Sequence, residues 1–236
     1  MHKSKIGILW LLALLLIQCQ ENQPKKITPK KTNSFEKIQS KEENKKKNEV
    51  NKDQIELDDK NAIPFFFDYA KNHPEKKVRV TTKFGSFIIE LFENTPYHRA
   101  NFIYLTRKKY FNGTTFHRVV PQFIIQGGNS DSYKTSRKRR EIGRYLLPND
   151  LRKGHSHDRG IISMPSSEIE NPYKLASPFE FFIVVQKPGA YHLDGNYTPF
   201  GRVIEGMNVV DKINQQPIDN REAPIHNIFM EVEIID

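Results

Sequence analysis

The chain has 236 residues, with 37 Lys and Arg against 28 Asp and Glu, a formal net charge of +9. A length of this order holds one or two domains. Cys19 is the only cysteine, which excludes a disulfide within the chain, and the basic surplus suits anionic surfaces without demanding one.

Residues 1–19 read as a targeting segment. Lys3 and Lys5 give a basic start, and Ile6 to Ile17 form an apolar run of about 12 residues, the length of a signal-peptide core. A bilayer-spanning helix needs about 20. The run ends in Leu16-Ile17-Gln18-Cys19, which resembles a bacterial lipobox, with Gln18 standing where a small residue is usual. That resemblance implies lipidation at Cys19 and a membrane anchor in the cell envelope, facing the periplasm. Residues 20–62 are rich in Lys, Glu, Asn, Gln and Asp, with Phe35 as the one aromatic. Such a segment buries too little apolar surface to offset its ordering entropy, so it is expected to be a flexible charged tether.

Residues 63–77 are a lead-in segment with a Phe65-Phe66-Phe67 cluster, expected to form a short helix against the edge of the domain that follows. From Val78 the pattern becomes β. Val78–Thr82 and Phe87–Leu91 flank a Lys83-Phe84-Gly85-Ser86 turn and predict a hairpin. Thr95-Pro96 predicts a helix start, Thr as N-cap and Pro at the first helical position, for a helix running to about Arg107. Two strands are predicted within 114–126, then a long basic loop over 129–159. Further strands are predicted at 160–164, 181–185, 198–204 and 228–235. A second helix is expected over 206–214, where Met207, Val210 and Ile213 repeat every third residue. Many short strands with two helices point to a closed antiparallel barrel.

The stretch Phe116-His117-Arg118-Val119-Val120-Pro121-Gln122-Phe123-Ile124-Ile125-Gln126-Gly127-Gly128 carries the chemistry. It places a guanidinium and an amide beside phenyl rings on β-structure. It holds no strong nucleophile, metal cluster or phosphate loop. Such a site can desolvate and hydrogen-bond a peptide, which confines it to binding or to noncovalent conformational catalysis. His155-Ser156-His157-Asp158 has weak metal-ligand spacing and reads as a solvated loop. Arg137-Lys138-Arg139-Arg140 could bind phosphates, but an export signal on the same chain argues against a nuclear or nucleic-acid role, and contact with anionic lipid or substrate fits better.

From about residue 78 to 236 the chain resembles the cyclophilin-type peptidyl-prolyl cis–trans isomerases. The resemblance rests on Ala100-Asn101-Phe102, the 116–128 stretch, Gly160–Met164, Phe181–Val184, Leu193-Asp194-Gly195 and Phe200-Gly201-Arg202-Val203, in the family's order. It implies a mainly β fold, a closed eight-stranded antiparallel barrel capped by two α-helices, with the peptide groove outside the barrel. It implies isomerisation of X–Pro bonds with no cofactor or metal; with the targeting segment, the expected clients are exported or envelope proteins, and the chain is expected to be a monomer. Arg118 matches the catalytic arginine; Phe123, Ile124 and Gln126 match the groove's phenyl, aliphatic and amide positions. Phe182 matches the base of the proline pocket, Leu193 its leucine, and Tyr197 a position held by His or Tyr. Glu180 replaces a Gln and His192 a Trp, and the segment from Pro165 to Pro178 replaces a shorter connection. Glu180 could steady Arg118 or occupy its donors. These departures leave open a noncatalytic proline-peptide binding module on the same fold. An anionic-polymer binder driven by the basic loop is a third reading.

Overall fold

The computed structural model describes residues 55–166 and 170–236. The expected signal segment, Cys19 and the tether as far as residue 54 lie outside the described residues. A short strand, β1 (Leu57–Asp58), opens the described part, followed by helix α1 (Ala62–Asn72). Leu57, Ala62 and Phe66 are buried, and β1 pairs in parallel with β6 (Gly143–Arg144). Residues 55–62, read as tether from their charge, are therefore packed: one leucine and one alanine at the right register suffice to dock them.

The principal sheet contains β2 (Lys77–Thr82), β3 (Gly85–Leu91), β4 (Thr115–Val120), β5 (Ile124–Asn129), β7 (Ile161–Ser163), β8 (Phe181–Val184), β9 (Pro199–Glu205) and β10 (Glu231–Ile234). Their order is β10-β2-β3-β9-β7-β8-β5-β4, and every pairing is antiparallel. The residues leading into β10 return to β4: Phe116 N donates to Ile228 O at 2.9 Å and Met230 N to Thr114 O at 2.9 Å. The two end strands are thus joined, and the eight-stranded sheet curls into the expected barrel.

Four α-helices accompany it among the described residues, not two. Besides α1, helix α2 (Pro96–Arg107) has Pro at its start as predicted, but Thr95 does not cap it; its hydroxyl donates to Phe92 O at 3.2 Å. Helix α3 (Tyr133–Ile142) lies inside what reads as a basic loop. Ser132 caps it by accepting from Thr135 N at 3.1 Å, and Gly143 ends it in a conformation with φ +119°. Helix α4 is Met207–Asn214.

The pleat sorts side chains into two apolar clusters. Ile125, Phe181, Ile183 and Ile162 point inward and join the main core with Phe102, Phe111 and Phe200. Ile124, Phe182 and Val184 point outward and gather with Ala190, Val120, Phe123, Leu193 and Tyr197. A regular strand would send Phe116 and Arg118 to the same face. The β4–β5 register slips between them, pairing Phe116 with Gly127 and Arg118 with Gln126. This bulge at His117 buries Phe116 in the core and delivers Arg118 to the outer face.

Candidate functional site

The register of three strands builds the site. Arg118 on β4 pairs with Gln126 on β5, and Gln126 pairs with Phe182 on β8. A guanidinium, an amide and a phenyl ring therefore stand in one row across the outer face. The β4–β5 turn below them is pinned by Asn214 at the end of α4. Its Nδ2 donates to Val120 O at 2.9 Å and Ile124 O at 3.2 Å, and its Oδ1 accepts from Gln122 N at 2.8 Å. That turn sets Phe123, whose ring stacks on His192 with centroids 5.3 Å apart. Phe182 meets Tyr197 edge-on at 5.5 Å. The result is an apolar depression floored by Phe182 and Ile124 and flanked by Phe123, Leu193 and Tyr197, with Arg118 along its polar side.

Arg118 is partly exposed and held from one side. Its Nε donates to Glu222 Oε2 at 2.7 Å, and Nη1 lies 3.5 Å from Gln126 Oε1, a weak contact. Nη2 has no partner among the described residues. Glu222 is itself fixed, since Val119 N donates to its carbonyl at 2.8 Å. The carboxylate beside Arg118 is thus Glu222 and not Glu180.

Glu180 instead closes the far end of the row. Its Oε2 accepts from Gln126 Nε2 at 2.9 Å and its Oε1 from Asn129 Nδ2 at 3.1 Å, with His117 Nε2 3.5 Å and Arg139 Nη2 3.9 Å away. Burial alone would raise its pKa; hydrogen bonds and charge from His117, then Gln126 and Arg139, outweigh that and hold the carboxyl below its usual value. Glu180 therefore orients Gln126 with a persistent charge and leaves the guanidinium of Arg118 to Glu222. A groove of about 770 Å³ opens on its other side, lined by Arg139, Arg140, Arg144, Tyr145 and Phe179.

A sequence profile described as cyclophilin type peptidyl-prolyl cis-trans isomerase/CLD matches residues 77–233. The chain belongs to the cyclophilin-type peptidyl-prolyl cis–trans isomerases. It is 32% identical over 163 residues to the peptidyl-prolyl cis-trans isomerase CYP18-2 of Arabidopsis thaliana, covering 68% of this chain and 94% of the relative. It is 34% identical over 164 residues to a peptidyl-prolyl cis-trans isomerase-like 2 of Rhizopus delemar, covering 69% of this chain but 29% of that longer protein. A crystal structure of a Cryptosporidium parvum cyclophilin, determined in the presence of the dipeptide Ala-Pro, superposes with a TM-score of 0.57 at 28% identity. The match covers 68% of this chain and 99% of that one.

In this cyclophilin all eight residues expected around Arg118, namely Phe123, Ile124, Gln126, Glu180, Phe182, His192, Leu193 and Tyr197, converge on one face. Nothing in the local sequence points to Glu222, which sits 104 positions from Arg118 in an irregular segment. The solvated loop expected at His155–Asp158 is corrected at His157, whose side chain is fully buried, while His155 stacks on Phe92 at 3.8 Å. No three His, Cys, Asp or Glu side chains converge to hold a metal among the described residues. The basic run 137–140 is not a free patch either. Lys138 Nζ bonds the carbonyls of Lys109 and Asn112, and Arg139 bonds Tyr110 and Asn129 and covers the Phe179 ring at 4.9 Å.

The charge on Glu180 has a measurable consequence. A carboxyl whose folded pKa is depressed stabilises the fold above its unfolded pKa, about 4.3 for Glu, and that contribution is lost as the pH falls through the folded value. Melting temperature is expected to drop on acidification from pH 5 to 3, and to drop less in Glu180→Gln. Identical acid slopes for the two proteins would show that the Glu180 charge is not coupled to folding.

Proposed function

We propose that the chain isomerises X–Pro bonds in exported or envelope proteins, using the outer groove, while Cys19 carries a lipid anchor that holds it in the cell envelope facing the periplasm. The observation that carries the reading is the Arg118–Gln126–Phe182 row beside a separate outer apolar cluster.

Rotation about the X–Pro bond faces a barrier of about 18–20 kcal/mol because resonance flattens the amide. No bond breaks, so catalysis consists of binding the twisted amide better than either planar isomer. Phe182, Ile124, Leu193 and Phe123 hold the pyrrolidine ring and exclude water. Arg118, fixed by Glu222 through Nε, offers its remaining donors to the proline carbonyl oxygen or to the prolyl nitrogen as it becomes pyramidal. Gln126, oriented by Glu180, bonds the substrate backbone. A barrier lowered by about 7 kcal/mol gives roughly five orders of magnitude in rate. Proline-bearing segments of clients are the partners, met by a monomer.

Protease-coupled turnover of a proline tetrapeptide by the full chain tests the activity. Tight peptide binding with no acceleration would instead favour the noncatalytic module. Metabolic labelling with a fatty acid tests the anchor: label in the wild type and none in Cys19→Ser is expected, and an unlabelled wild-type chain would refute it.

A further inference from the structure

Behind the apolar depression runs a line of polar side chains that the isomerisation does not use. His157 and Ser163 are both fully shielded from solvent. His157 Nδ1 lies 2.6 Å from Asp194 Oδ1, and Nε2 lies 2.9 Å from Ser163 Oγ. A carboxylate only accepts, so Nδ1 carries the proton and Nε2 accepts from the Ser163 hydroxyl. Ser, His and Asp stand in the order of a hydrolytic triad. Ser163 has no exposed surface, however, and lies in register with Phe182, so a substrate carbonyl does not reach it.

The line joins the separate pieces of the depression. Ser163 belongs to β7, beside Phe182. Asp194 follows the 3-10 turn Tyr191–Leu193, which carries Leu193 and His192. The backbone reinforces the joint: His157 N donates to Asp194 Oδ1 at 2.9 Å, and Ala190 N donates to His157 O at 2.7 Å. The imidazole lies nearly parallel to the Phe182 ring, 14° between planes and 6.2 Å between centroids. Phe182 is therefore flanked by His157 on one side and by Tyr197, edge-on, on another.

We propose that His157 is a positioning residue for the proline pocket: by bridging Asp194 to Ser163 it fixes the Leu193 wall relative to the Phe182 floor. This rests on the functional reading of the groove, since it assigns what shapes that groove. Protonation would turn Nε2 into a donor, and the Ser163 hydroxyl would have to rotate to accept it, giving up the acceptor of its own proton in a place shielded from solvent. Burial holds His157 below the ordinary histidine value and His192 acts in the same direction, while Asp194 opposes both. On its own segment Asp158 accepts from Tyr191 at 2.8 Å and Arg159 pairs with Asp211 at 2.6 Å, and from β8 the Phe182 ring faces the imidazole. The bridge is accordingly intact at neutral pH and weakened in acid.

The test measures the affinity of the full chain for a proline tetrapeptide by NMR titration from pH 5 to 8, with kcat and KM alongside. In His157→Gln, affinity at pH 7.5 is expected to fall about threefold to tenfold, the equivalent of one lost neutral hydrogen bond, with kcat changing less than KM. The wild type is expected to lose affinity in acid, and in His157→Gln that loss should vanish. In Asp194→Asn that loss is expected at lower pH, because the carboxylate no longer favours the imidazolium. A folded His157→Gln with wild-type affinity and a wild-type acid limb would overturn the proposal. Should that variant fail to fold, an unshifted acid limb in Asp194→Asn overturns it equally. A wild-type chain that binds the peptide without turning it over would count against the isomerase reading alone, because affinity reads the pocket independently of rate.

Discussion

Arg118→Ala is expected to lower kcat/KM for a proline tetrapeptide by about two to three orders of magnitude, the usual consequence of removing one preorganised donor from a developing charge. The donor is preorganised here by Glu222, which takes Nε at 2.7 Å and so spends one face of the guanidinium on orientation while Nη2 stays without a partner among the described residues. Other variants at this pair rank accordingly. Arg118→Lys keeps the charge but has no planar fork; its single ammonium cannot hold Glu222 and reach the substrate at once, so it recovers little of the loss. Glu222→Gln keeps a hydrogen-bond acceptor and is expected to lose far less than Arg118→Ala. Folding should survive all three, because the Arg118 side chain is 41% exposed and belongs to neither apolar cluster. Circular dichroism and melting temperature check this. Wild-type turnover by a folded Arg118→Ala would remove Arg118 from the mechanism.

The strands of the barrel are legible in the sequence because alternation and turn residues encode them locally. Val78–Thr82 with Phe87–Leu91, and the apolar runs at 161–163 and 181–184, need no distant information. The helix that begins at Pro96 is legible for the same reason. Helix α3 is not, since its exposed face is a run of cations and only Thr135 and Ile142 are buried. Its end signals are nonetheless present in Ser132, Gly143 and the Arg137–Glu141 pair one turn apart. The aim of Arg118 is legible only through family resemblance. Simple alternation puts Phe116 and Arg118 on one face, and a bulge at His117 has no local signature. Glu222 and the His157–Asp194 pair depend on contacts across 104 and 37 positions. No periodicity reports contacts of that kind. Glu180 shows the complementary case: Phe182, close to it in the chain, is in the row, yet the partners of Glu180 come from β4, β5 and α3.

Gly128→Val is expected to be the most destabilising single change near the groove. Gly128 has φ +101°, and a Cβ there would meet the Phe179 carbonyl oxygen at 2.5 Å and Glu180 Cα at 3.1 Å. These are backbone atoms of the segment that leads into β8, so no rotamer change relieves the contact. A β-branched residue at positive φ costs about 1–3 kcal/mol, and forcing packed segments apart costs about 1–3 kcal/mol more. A domain of this size loses about 2–4 °C per kcal/mol, so the melting temperature should fall by roughly 10 °C. Gly154→Val separates the two contributions. Gly154 has φ +81°, and a Cβ added there would meet nothing within 4 Å, so the substitution carries the conformational strain without the collision. The collision also predicts a functional effect. Pushing Phe179 and Glu180 away from β5 moves Phe182 with them, so KM should rise in Gly128→Val even at temperatures where it is folded, and stay unchanged in Gly154→Val. Equal melting temperatures for the two variants would mean that β5 and the 179–180 segment are not packed as tightly as the distances require.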